Sequence, residues 1–445
     1  MSDSTDSADI IELLAGINPG EPVAELRRNR SQARTNAQHS FRVLLEAGDG
    51  EDDGSGFTDT ERYVVAAFVA GLHQGQAADF YADLLGDVVE DAVATAVAES
   101  VQAGLTVGPY GTYREPDLAG ESVPGPEFSV DPHVRGVLGE KLTAALEFAH
   151  LLVFHPRDSR PERLAPLAWS GWTPTQVVSL AQLISFLCFQ IRAAAGLFAL
   201  KAADAMYMPL AAGPVRRRGK AQERAQEPGG PAPLTGGAFD VLTYPDLHRP
   251  TRFVSHSLGW QPWVPPVEED ELTERQRTAL VDPMRAKSSY FRLLARDPDA
   301  LEARTLTDKD IFYNVTDGAG RAEREISAAV TSRYNGCVYC ASVHTGRALQ
   351  ESTGREDDVQ RLCDEAVGPD SLPDLGSEAW NAIAEASVAL TSTPVDFCRD
   401  HVERLRAAGL DDASIVDVIN GAAFFNWANR LMLSLGEPEL PARFR

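Results

Sequence analysis

Ala, Leu and Val recur at helical spacing over residues 79–101, 138–153, 175–200, 378–390, 394–408 and 413–435. Wound at about 3.6 residues per turn, each stretch gathers an apolar face that must pack against another helix. Alternation of the β type is scarce; residues 239–242 form the best strand candidate, and it is short. The sequence therefore predicts an all-α protein. The most lipid-like stretch, residues 177–200, carries Gln182, Gln190 and Arg192 on one helix. Polar and charged groups of that kind are expensive in hydrocarbon, so the stretch is read as a buried core helix.

At 445 residues the chain is long enough for two or three domains with real cores. Lys and Arg number 41 against 65 Asp and Glu, a formal net charge of −24. Such a surface repels phosphate backbones and anionic lipid, which argues against nucleic-acid and membrane partners. The one basic run, Arg216, Arg217, Arg218 and Lys220, sits among Pro, Gly and Gln and reads as a solvated linker. No secretion signal is recognised at the start, where residues 10–14 are too short an apolar run, so a cytoplasmic protein is expected. Five cysteines cannot staple a chain of this length, and two of them are spaced C-x-x-C.

Two partial repeats run through the chain. Glu61 laid on Glu325 gives an offset of 264, which places His73, Gln76 and Phe80 on Cys337, Cys340 and His344. Glu147, Pro156, Val178, Phe186 and Arg192 fall on Glu385, Pro394, Val416, Phe424 and Arg430 at an offset of 238. Thr173 and Asp411 are the matching helix N-caps. The common order points to a duplicated helical unit, with a Gly/Pro/Tyr-rich insert near residues 109–132 of the first copy. The expected division is an N-terminal domain 1–208 without the dithiol, a linker and extended arm 209–267, and a C-terminal domain 268–445.

One stretch carries chemistry. A helix from Glu325 should close at Asn335-Gly336, because Gly readily supplies the left-handed residue that ends a helix. A second helix then begins near Cys337, with Cys337 and Cys340 in its first turn and His344 one turn further along that face. The helix N-terminus stabilises a thiolate, and the imidazole can accept the thiol proton. If the two helices fold back antiparallel, Glu325 and His344 both lie about 12–15 Å from the turn, at 1.5 Å rise per residue. Glu325 could then orient His344 in a carboxylate–imidazole–thiol relay. A zinc site using Cys337, Cys340 and His344, or two merely structural cysteines, stand beside the redox reading.

Glu325, then Cys337-x-x-Cys340-x-x-x-His344 after Asn-Gly, resembles the motif of the alkylhydroperoxidase AhpD family, within the carboxymuconolactone decarboxylase-like superfamily of all-α proteins. Trp260-Gln261-Pro262-Trp263 and Leu272-Thr273-Glu274 resemble its peroxidase-related branch, and the first half resembles a partner domain lacking the dithiol. The resemblance implies a duplicated AhpD-like fold and a peroxidase for organic hydroperoxides or hydrogen peroxide. By it, Cys340 is the peroxidatic nucleophile, Cys337 the proton donor and resolving thiol, and His344 and Glu325 the proton relay. It implies no cofactor and no metal, re-reduction by a lipoyl-bearing or thioredoxin-like dithiol donor, and a homo-oligomer. Tyr339 stands where some members place a second histidine between the cysteines. The alternatives are a decarboxylase or isomerase using His or Glu for proton transfer, and a non-enzymatic redox sensor.

Overall fold

A computed structural model describes residues 9–46, 56–204 and 232–445. The chain is mostly helical, 65% helix and 3% strand. The basic run 216–220 lies outside the described residues, with the first part, 209–231, of the expected linker and arm. Fourteen described helices have nine or more residues. The first three are α1 (Ser31–Leu45), α2 (Asp59–His73) and α3 (Gln76–Gly86). Next come α4 (Asp91–Gly104), α5 (Pro132–Phe154), α6 (Pro161–Trp169) and α7 (Pro174–Asp204). After the linker run α8 (Pro298–Tyr313), α9 (Arg321–Asn335), α10 (Val338–Gln350) and α11 (Glu356–Asp364). The last three are α12 (Glu378–Thr391), α13 (Arg399–Ala407) and α14 (Asp412–Ser434).

The core is built where α7 lies against α14. Both helices are apolar nearly all round, the pattern of a helix surrounded by others. By length and composition α7 could cross a membrane, yet 89% of its most apolar window is buried inside the chain. Gly196 permits the close crossing, since a Cβ there would stand 2.6 Å from Ile419. Phe189 stacks on Trp427, residues 238 apart in sequence, with ring centroids 5.7 Å apart.

Two fully buried arginines tie the halves together by matching bonds. Arg192 donates to the Cys188 carbonyl at 3.0 Å and, across the interface, to the Thr391 carbonyl at 3.1 Å. Arg430 donates to the Asn426 carbonyl at 2.9 Å and across to the Val153 carbonyl at 3.1 Å. The two sets of partners also differ by 238 residues. Thr173 and Asp411 accept from the third residue beyond them, as N-caps do.

The structure departs from the sequence expectations in three helical details. Residues 79–101 are two helices, broken after Gly86 where Val88 turns out to solvent, 45% exposed. Residues 394–398 are not helical: Thr393 pairs with Gly108 in an isolated bridge, and a residue before proline is held extended. α5 starts earlier than expected and is interrupted at Gly139, where φ is +77°.

The strand expectation also moves. Residues 239–242 bury Phe239 and Val241 alternately but lack a neighbouring ladder, bonding singly to Leu234 and Trp263. The strands are instead β1 (Gly259–Pro262) and β2 (Gly436–Glu439), antiparallel with Trp260 opposite Pro438. The aromatic arm thus lies along the end of α14, where the Trp263 amide donates to the Leu435 carbonyl at 2.7 Å.

Candidate functional site

α9 ends as its sequence requires. Gly336 takes φ +80° and ψ +22°, and the Cys337 amide reaches back to the Ser332 carbonyl at 2.9 Å. A Cβ at Gly336 would meet Arg157 Nε at 2.9 Å, so the position is closed to side chains on two grounds. Cys337 becomes the N-cap of α10, and its carbonyl receives the Ala341 amide at 2.9 Å. Cys340 follows in the first turn. α9 and α10 lie against each other, which brings Glu325 and His344 level.

The structure joins all four expected residues. His344 Nδ1 stands 2.6 Å from Glu325 Oε2. Glu325 is fully buried while the His344 side chain keeps 20% exposure, so the imidazole is the wet end of the pair. Arg321, one turn before Glu325, donates through Nε to Oε1 at 2.6 Å. Burial alone would raise the Glu325 carboxyl; the His344 charge and Arg321 outweigh it and hold it below its ordinary range. Burial likewise opposes the His344 charge, but the Glu325 carboxylate wins and raises the imidazole above its ordinary value.

The two thiols are driven apart. Burial pushes Cys337 up, and its thiol donates to the Cys340 sulfur, which holds its proton in place. Burial also acts against a Cys340 thiolate, but the Cys337 donor, the His344 charge and the Asn429 amide together lower it. Cys340 is therefore the more acidic thiol of the pair and Cys337 the one that keeps its proton more tightly, both beneath the surface at 4% and 1% exposure. Tyr339, partly buried, is pushed up to about 12 by burial and by the Cys340 charge, so it stays a neutral phenol.

Several residues around the thiolate carried no local signal. Asn429 comes from α14, Arg304 and Asp308 from α8, and Tyr290 from the segment before it. Arg304 adds positive potential at Cys340. Burial raises the Asp308 carboxyl, against the pull of Arg304 and His344. Phe425 meets the His344 ring edge-on at 4.1 Å and walls it from the core. Only Arg321 was recoverable from sequence, as a cation four residues before Glu325 on one helix face. Among the described residues no group of three or more His, Cys, Asp or Glu is arranged to hold a metal ion.

The first half is different. His73 is buried, with Nδ1 on the Val69 carbonyl and Nε2 2.8 Å from Arg192. Burial and the Arg192 charge push it well below its ordinary value, so it stays neutral. Glu61 does not occupy the place of Glu325: it closes a capping box with Thr58 and pairs with Lys141. The residue that behaves alike is its neighbour. Arg62 Nε donates to the carbonyl five residues back, as Arg324 Nε does.

Fold and site together define a helical domain with an asymmetric buried dithiol beside a carboxylate–imidazole pair. Residues 298–387 match the Carboxymuconolactone decarboxylase family. The chain thus carries a domain of this family, which includes AhpD-like members, within a longer chain. No curated protein matches the chain.

Proposed function

We propose that the protein is a dithiol-dependent peroxidase for organic hydroperoxides or hydrogen peroxide. The observation that carries this is the opposed ionisation of the two thiols, Cys340 held low and Cys337 high. The Cys340 thiolate attacks one peroxide oxygen and the O–O bond breaks. The leaving alkoxide takes a proton from the His344 imidazolium, whose charge Glu325 balances. The resulting sulfenic acid condenses with the Cys337 thiol, releasing water and closing a Cys337–Cys340 disulfide. An external thiol donor restores the dithiol.

We also infer that the halves are copies of one helical unit. The supporting fact is the 238-residue correspondence between the Arg192 and Arg430 bonding sets. On this reading the first copy is a structural partner, since its neutral His73 has both ring nitrogens engaged.

The test is stoichiometric. Reduced protein is given one equivalent of cumene hydroperoxide, its free thiols are counted, and the peptides are mapped. Loss of two thiols, mapped to Cys337 and Cys340 and abolished in Cys340→Ser, is expected. Full retention of both thiols would overturn the reading and leave proton transfer at Glu325 and His344.

A further inference from the structure

A recess opens beside Cys337, and neither Cys340 nor His344 lines it. It is lined by Cys337 and Tyr339, by Arg157, Ser159 and Arg160 from the α5–α6 connection, and by Arg114. Its volume is about 30 Å³, space on the scale of two waters or one carboxylate group.

Its charge runs against the rest of the molecule. Four arginines, Arg114, Arg157, Arg160 and Arg249, face two carboxylates, in a chain whose net charge is −24. Glu437 is already engaged by Arg114 at 3.0 Å and by Arg249 at 2.5 Å. Burial raises the Glu115 carboxyl, which weakens it as a counter-charge. Among the described residues Arg160 donates to carbonyls alone, those of Thr112, Arg157 and Ser159, while Asp158, Glu115 and Glu162 act on it through charge without a direct bond. Arg157 donates to the Tyr334 carbonyl and lies over the Tyr113 ring, with no carboxylate partner among the described residues.

The wall also holds polar atoms with nothing to bond. Arg157 and Ser159 are 7% and 4% exposed, yet Arg157 Nε and Ser159 Oγ have no hydrogen-bond partner among the described residues. An unpaired buried donor costs about 1–3 kcal/mol. Both atoms belong to residues that line this positive recess of carboxylate size.

We propose that this recess binds the carboxylate of a small thiol that reduces the Cys337–Cys340 disulfide. The proposal rests on the peroxidase reading above, because it supplies that cycle's reductive half. Thiol–disulfide exchange favours the lower-pKa sulfur as leaving group, and here that is Cys340. Attack must then fall on Cys337, the sulfur at the recess. The incoming thiolate forms a mixed disulfide with Cys337, the Cys337–Cys340 bond breaks, and Cys340 departs as thiolate. A second molecule attacks the sulfur of the bound thiol, giving the symmetric disulfide. Cys337 leaves as thiolate and takes a proton. Two thiols supply the two electrons.

The test compares 3-mercaptopropionate with 3-mercaptopropionamide, the same thiol with and without the anion. The Cys337–Cys340 disulfide is formed with diamide, so the measurement does not depend on peroxide turnover. Rates are expressed per thiolate. The acidic protein as a whole repels the dianion, so a general surface effect would favour the amide. We expect the carboxylate to react about tenfold faster, with a preference that falls as salt rises and collapses in Arg160→Gln. Equal rates, or a faster amide, in the parent protein overturn the proposal and leave the reducing role to a protein donor. If cumene hydroperoxide oxidises no thiol while the carboxylate preference holds, the peroxidase reading fails and the anion site stands.

Discussion

Replacing Glu325 by Gln keeps the shape of the side chain and removes its charge. Glu325 sits fully buried with one oxygen 2.6 Å from His344 and the other 2.6 Å from Arg321. Hydrogen bonds to a buried charge are worth about 1.5–3 kcal/mol each. The bond to His344 favours the imidazolium, so its loss lowers the proton affinity of His344. Cys340 loses the neighbouring cation that helps lower its thiol. Peroxide-driven disulfide formation at neutral pH should slow by about 10–150-fold. The assay is iodoacetamide labelling of Cys340 across pH, followed by peptide mass, alongside the rate of thiol loss with cumene hydroperoxide. The labelling midpoint should move to higher pH in Glu325→Gln. A midpoint unchanged from the parent, with thiol loss within about twofold, would refute the relay.

The same pair sets a pH window for stability. His344 is raised above 6.5, so its contribution is full below that value and is lost as pH climbs through the raised one. Glu325 is depressed below 4.5, so its contribution is full above that value and is lost as pH falls through the depressed one. Urea midpoints should therefore plateau between the two and decline on both sides, and Glu325→Gln should flatten both declines. Gly336→Ala should destabilise by about 1–3 kcal/mol in urea, because φ +80° is strained for alanine and Arg157 occupies the Cβ position. Gly336→Asn should recover only part of that loss, since asparagine tolerates the backbone angle but still meets Arg157.

What could be read from sequence was what a short stretch decides. The interval from Glu325 to His344, with Asn335-Gly336 between, fixes two helices, their turn and their facing residues through helical rise alone. The N-caps Thr173 and Asp411 are equally local. The failures are of two kinds. Helix ends depart from the sequence pattern where a distant partner decides them, as at Thr393, which Gly108 holds in a bridge. The strand lies elsewhere than the pattern predicts because residues 239–242 have only the alternation of a strand, whereas 259–262 have a partner in 436–439. Asn429, Arg304 and Asp308 reach the site from other helices, and no spacing in the sequence places them there.

The family match stops at residue 387, but the turn that carries Cys337 is finished by residues far outside it. The last carbonyls of a helix have no partner within it and must be satisfied from elsewhere. At the end of α9 the first half of the chain does this. Arg157 donates to the Tyr334 carbonyl, and the Tyr113 hydroxyl donates to the Arg333 carbonyl at 3.3 Å. The Arg333 side chain is itself clamped by both oxygens of Glu121, at 2.7 and 2.8 Å. Tyr113 and Glu121 belong to the Gly/Pro/Tyr-rich stretch near residues 109–132. This stretch therefore belongs to the dithiol site. It caps the helix whose end presents Cys337 and holds the arginine that stands where a side chain at Gly336 would go. A half without the C-x-x-C pair keeps, in this way, a direct hand on the geometry of the half that has it.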